Sequence, residues 1–133
     1  MTNNSRKFRF ATKTEIRAAT PEVSVTPAVL QYHPGVVRAW ANFQGSGTVT
    51  LRESYNVSSI TDVAVGRWNV NLATNMSTTT YCPTAGGSAT SIITFLTFMI
   101  QIIDEGSFQI HSKDVSSASV DILNVYASAL GNQ

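Results

Sequence analysis

Few residues in this chain have the type and spacing that catalysis or metal binding demands. His33 and His111 are its two histidines, far apart and without carboxylates at ligand spacing. A metal site would have to be assembled entirely by the fold, and both read as packing or turn residues. Ser46 sits between Gly45 and Gly47 but lacks the Gly-x-Ser-x-Gly elbow that raises a nucleophile off a strand-to-helix turn, so it reads as a hairpin turn. Asp104 and Glu105 are adjacent. On an extended strand they point to opposite faces and cannot work as an acid/base pair across one substrate. Gly86-Gly87-Ser88 has neither the spacing nor the lysine of a phosphate loop and reads as flexible loop. Cys82, the one cysteine, precludes an intrachain disulfide. Placed before Pro83 with no base near it in sequence, it reads as a partly buried small hydrophobe. Trp40 and Trp68 each lie in an alternating run and read as core anchors rather than sugar-stacking platforms. No catalytic residue, metal ligand set or cofactor is expected.

The elements that would carry a site must therefore be read for binding. A chain of 133 residues fits one globular domain. Charged residues make up 13% of it, against about a quarter in an average soluble protein. With a net charge of +1 there is no basic stripe to attract a phosphate backbone, so nucleic acid is an unexpected partner. The N-terminal basic residues Arg6, Lys7 and Arg9 are followed by no apolar stretch, which argues against a secretory signal and for cytoplasmic synthesis. The apolar run from Ile92 to Ile103 is too short to span a bilayer and is broken by Thr94, Thr97 and Gln101, so membrane insertion is not expected.

Residues 1–33 differ in character from the rest and read as a lead-in or attachment segment, helical or extended, ahead of a domain over 34–133. Within it, 11–19 has helix formers with Thr12 and Glu15 spaced as a capping box, and Thr20-Pro21 and Thr26-Pro27 break the chain. From Val36 onward, short β-rich runs separated by turn residues predict an all-β fold: an antiparallel β-sandwich, jelly-roll-like. Val36 to Gln44 and Thr48 to Arg52 form a hairpin across Gly45-Ser46-Gly47. Ser54 to Thr61 is a strand and Asp62 to Gly66 a turn. Arg67 to Thr74 alternates strictly, placing Trp68, Val70 and Leu72 on one buried face. Asn75 to Ser88 lacks alternation and reads as exposed loop. In the strand from Ala89 to Ile103 both faces are apolar: Ile92, Leu96, Phe98, Ile100 and Ile102 on one, Ile93, Phe95, Met99 and Ile103 on the other. One sandwich core covers only one of these faces, so the second requires a neighbouring subunit. Phe108 to Ser112 and Val120 to Tyr126 complete the domain.

Three stretches in order carry a family signal. They are Ala11-Thr12-Lys13-Thr14-Glu15 leading to Val25-Thr26-Pro27; Tyr32-His33-Pro34-Gly35 running through Arg38-Ala39-Trp40-Ala41-Asn42-Phe43 to Gly45-Ser46-Gly47-Thr48; and Ser54 to Asp62, SYNVSSITD. Together they resemble bacteriophage tail-fibre and related virion-fibre proteins, in which such a stalk end precedes a terminal knob. Val65 to Met76 and Asp121 to Tyr126 look like two further strands of that group. The resemblance implies a trimeric tip on a phage-like particle, a virion protein that binds a host-surface glycan or outer-membrane protein and other virion proteins through its N-terminal segment. A purely structural capsid-spike, decoration or tail-assembly role is the alternative. A polysaccharide depolymerase is disfavoured by the absence of a paired carboxylate site. On this reading the loop residues Thr79, Thr80, Tyr81, Thr84 and Ser88 are the receptor-binding candidates, and Ile93, Phe95, Met99 and Ile103 the subunit-interface candidates.

Overall fold

The computed structural model describes residues 10–12, 14–15, 18, 24, 26–30, 33, 35–88 and 96–133. The chain divides into two compact units, Met1–Val36 and Val37–Gln133, three residues later than the boundary expected at 33/34.

In the first unit the capping box is formed: the Thr12 N–H donates to Glu15 Oε2 at 2.9 Å, and the Glu15 N–H donates to Thr12 Oγ1 at 3.3 Å. Of the helix expected over 11–19, Thr14 and Glu15 are helical and the Ala18 N–H donates to the Thr14 carbonyl at 2.9 Å, while 13, 16, 17 and 19 lie outside the described residues. The expected break at Thr26-Pro27 is instead a start. Pro27 opens the four-residue helix α1 (Pro27–Leu30), and the Thr26 carbonyl accepts from the Val29 and Leu30 amides at 3.1 and 3.0 Å. Proline suits this first position because its missing N–H would have had no helical partner.

The second unit is an antiparallel β-sandwich of eight strands. These are β1 (Val37–Gln44), β2 (Thr50–Tyr55), β3 (Val57–Ala64), β4 (Arg67–Leu72), β5 (Cys82–Ser88), β6 (Thr97–Asp104), β7 (Ser107–Lys113) and β8 (Asn124–Leu130). One sheet has the order β2-β1-β8-β5 and the other β3-β4-β7-β6. The alternating run in β4 does what its pattern requires. Trp68, Val70 and Leu72 point inward and meet Phe43 of β1, Phe108 and Ile110 of β7, and Ile122 and Val125 near and in β8. Phe43 and Trp68 contact edge to face with ring centroids 5.9 Å apart. Phe98, Ile100 and Ile102 of β6 pack against this core, as the even face of that strand predicts.

Two departures from the sequence expectation are the largest. The strand expected over Ser54 to Thr61 is broken at Asn56, whose φ of 54° lies in the left-handed region. There the chain leaves one sheet and enters the other. Asparagine tolerates this conformation, and its side chain grips the far end of β4: Asn56 Oδ1 accepts from the Thr74 N–H at 2.7 Å and Nδ2 donates to the Thr74 carbonyl at 3.1 Å. The turn expected at Asp62 to Gly66 shrinks accordingly to Val65-Gly66. The second departure is β5, which occupies the part of Asn75 to Ser88 read as loop and pairs along its whole length with β8, Cys82 to Leu130 through Ser88 to Asn124. It is an edge strand, where Pro83 is tolerated. The last strand likewise runs over Asn124–Leu130 rather than ending at Tyr126.

Tyr81 is 5% exposed, so it is not a receptor contact. Its hydroxyl donates toward the carbonyls of Ser107 at 2.8 Å and Asp104 at 3.1 Å, and its ring meets Phe108 edge-on. The side chain thereby ties the loop before β5 to the β6–β7 turn. Burial first, then Asp104 and Glu105, push its hydroxyl up to about 12. The folded state holds the phenolic proton more tightly than the unfolded chain, so this contribution to stability is present below pH 10 and is lost as pH rises from 10 towards 12. Tyr81→Phe should cost about 1–2 kcal/mol in urea denaturation at neutral pH and remove the extra alkaline destabilisation. An unchanged alkaline profile in the variant would count against this role.

Candidate functional site: the outer face of the β2-β1-β8-β5 sheet

In β1, VRAWANFQ, the small residues Ala39 and Ala41 face inward with Phe43. Trp40 therefore shares the outward parity with Asn42 and Gln44. It is 40% exposed, so it is not the core anchor the sequence suggested. Tyr55 of β2 lies directly opposite it, and Ser128 of β8 opposite it on the other side. Ser128 in turn pairs with Thr84 of β5, their hydroxyls 2.7 Å apart. The result is one row across all four strands: Tyr55, Trp40, Ser128, Thr84. In the next row Tyr126 pairs with Asn42 on one side and with Gly86 on the other.

Tyr55 and Tyr126 are 55% and 47% exposed, so three large rings stand half out of one sheet face. Beside Tyr126 the surface opens, because Gly86 carries no side chain and the space over it is empty. Thr84, Ala85, Gly86, Tyr126, Ala127 and Ser128 line a shallow depression of about 210 Å³ there. The far end of the face is fixed by Arg52, whose guanidinium donates to Asn124 Oδ1 at 2.5 Å and more loosely, at 3.4 Å, to Asn42 Oδ1 and Gln44 Oε1. Asn124 Nδ2 passes the network on to Ser88 Oγ at 2.9 Å. The polar groups at that end are engaged with one another. At the aromatic end Trp40, Tyr55 and Tyr126 are exposed.

No family model, no curated protein and no solved structure matches this chain.

Of the receptor-binding candidates, Thr84 and Ser88 lie on this face. Thr79 and Thr80 stand exposed in the loop leading into β5, where the Thr78 and Thr80 hydroxyls are 2.7 Å apart. Trp40, Tyr55 and Tyr126 were not among the candidates. The signal for Trp40 was present in its parity with Arg38, Asn42 and Gln44, while its size pointed the other way. Of the interface candidates, Met99 and Ile103 both point outward from β6 at 45% and 46% exposed, and Ile93 and Phe95 lie outside the described residues. Among the described residues no three His, Cys, Asp or Glu side chains gather as a metal site, and no helix is long and apolar enough to cross a membrane.

Proposed function

We propose that this chain is a non-enzymatic tip of a phage-type virion fibre or spike, a homotrimer that binds a host-surface glycan on the outer face of the β2-β1-β8-β5 sheet. The observation that carries the reading is the row of half-exposed Trp40, Tyr55 and Tyr126 beside the Thr84 and Ser128 hydroxyls. Flat aromatic rings cover the C–H face of a sugar while neighbouring hydroxyls meet its rim. Tryptophan and tyrosine are also the side chains that concentrate energy in binding surfaces. The sequence likeness to virion-fibre tips supplies the setting and the number three. The outward Ile103, at the turn end of edge strand β6, supplies an apolar contact that a second subunit would cover. Each site binds weakly, and three on one particle bind tightly through avidity.

The test is binding of labelled protein to a glycan panel and to host cells, with light scattering on the same samples. Wild type should have trimer mass. Trp40→Ala should retain that mass and melt within a few degrees of wild type while losing about thirtyfold in affinity per site, the loss typical of a central aromatic contact. A wild-type monomer at micromolar concentration overturns the trimer. Capture of a virion protein through residues 1–33, with no glycan or cell binding, replaces the receptor reading with the structural one.

A further inference from the structure

The opposite face of the sandwich carries a different chemistry. On the outer side of β3-β4-β7-β6 the strand register builds a row of amides and hydroxyls, Thr61, Asn69, Gln109 and Gln101. Gln109 Nε2 donates to Asn69 Oδ1 at 2.9 Å, and Asn71 Nδ2 bonds Ser59 and Thr61 in parallel. Directly above this row Arg67 pairs with His111, and His111 with Met99. Arg67, Gln109, His111, Met99, Ile100 and Gln101 enclose a depression of about 300 Å³.

Three features distinguish it from a merely solvated sheet face. The Arg67 guanidinium has no hydrogen bond or ion pair among the described residues, nor does the Gln101 amide, and both open onto the depression. Among the described residues no carboxylate lines it. His111, buried apart from a 9% exposed edge, is held in place by its Nε2 on Ser119 Oγ at 2.8 Å, so the wall beside the arginine is rigid. A free guanidinium with two amides and an imidazole, beside an outward-pointing methionine, offers charge to an anion and paired donors and acceptors to hydroxyls.

We propose that this depression is a second ligand site, specific for a carboxylate-bearing sugar of the uronate class. Arg67 holds the carboxylate, Gln101 and Gln109 take the ring hydroxyls, and Met99 lies beside the ring. A neutral sugar would forgo the ion pair with Arg67, and a simple carboxylate would forgo the hydrogen bonds with the two amides. The groups facing His111 are Arg67 from β4, Met99 from β6, Ser119 from the turn after β7 and Lys113 on its own strand. Its pKa lies below the ordinary value, through burial first and then Arg67 and Lys113. A bound carboxylate opposes both cations, so binding should raise the imidazole pKa and strengthen as pH falls below 6.5.

The experiment titrates the full-length protein with glucuronate, glucose and acetate while following the His111 ring resonances by NMR, the other histidine, His33, serving as an internal control. Millimolar glucuronate should shift His111 and raise its pKa, with glucose and acetate at least tenfold weaker. Arg67→Gln should weaken glucuronate about tenfold or more without changing the melting temperature, and Arg67→Lys should restore part of it. Trp40→Ala should bind glucuronate normally here, which separates this site from the aromatic face. Equal response to glucose, or none to glucuronate, overturns the proposal. So does an Arg67→Gln protein that changes oligomeric mass instead of affinity, since that assigns the guanidinium to a subunit contact.

Discussion

Gly87→Ala should destabilise the domain by about 3 kcal/mol, at or above the usual ceiling for overpacking, whereas Gly86→Ala next to it should be nearly neutral. The two glycines occupy successive positions of β5 and so face opposite sides of the sheet. At Gly86 an added methyl meets nothing within 4 Å. At Gly87 it would overlap the Ile122 methyl and the Asn124 carbonyl oxygen and crowd the Phe98 ring at 3.1 Å. Ile122 is fully buried and the carbonyl belongs to the paired strand β8, so neither can yield cheaply. Gly45→Ala should behave like Gly87→Ala, because its methyl would lie 2.7 Å from Trp68, 2.8 Å from Val125 and 2.9 Å from the Ile122 carbonyl. Urea denaturation of the three variants decides the matter. Equal midpoints for Gly86→Ala and Gly87→Ala would mean that β5 does not seat against the core as described.

The same pair of glycines explains why β5 was illegible in the sequence. A strand is recognised by alternating side chains, and CPTAGGS has almost none to alternate. Its conformation is imposed by β8 on one side, and its inward glycine leaves room for Phe98 and Ile122 rather than contributing bulk. By contrast the start and the buried face of β4 are legible, since Trp68, Val70 and Leu72 alternate with Arg67, Asn69 and Asn71, although the strand ends at Leu72 and not at Thr74. The break at Asn56 was hidden for another reason: SYNVSSIT has continuous β propensity, and the change of sheet depends on one left-handed residue and its tertiary grip on Thr74. The outer sites were hidden because they come from cross-strand register. Arg67 and Gln101, or Tyr55 and Tyr126, are remote in sequence and meet only once the strands are ordered. Thr84 and Ser88, expected on a loop, reach the aromatic face because they belong to β5.

The two tryptophans make the clearest contrast between what alternation can and cannot say, and their substitution should separate stability from binding. Trp68 is fully buried at the centre of the core, against Phe43 and above Gly45. Trp68→Ala should therefore cost about 3–5 kcal/mol, a large share of the roughly 5–15 kcal/mol that holds a domain of this size together. The indole Nε1 has no hydrogen-bond partner among the described residues, so the core uses this side chain for its volume and not for its polar group. Trp68→Phe should for that reason lose only about 1–2 kcal/mol, since the smaller ring forfeits contacts but leaves no donor unsatisfied. At Trp40 the ring is 40% exposed and its cross-strand neighbour Tyr55 is 55% exposed, so alanine should cost no more than about 1 kcal/mol. Thermal and urea melts of the three variants test the stability order, Trp68→Ala far below Trp68→Phe and Trp40→Ala, and glycan binding of the folded variants tests the rest. Trp68→Phe should bind like wild type and Trp40→Ala should not. A Trp40→Ala protein that unfolds as readily as Trp68→Ala would show that the aromatic row holds the sheet together instead of presenting a surface to a ligand.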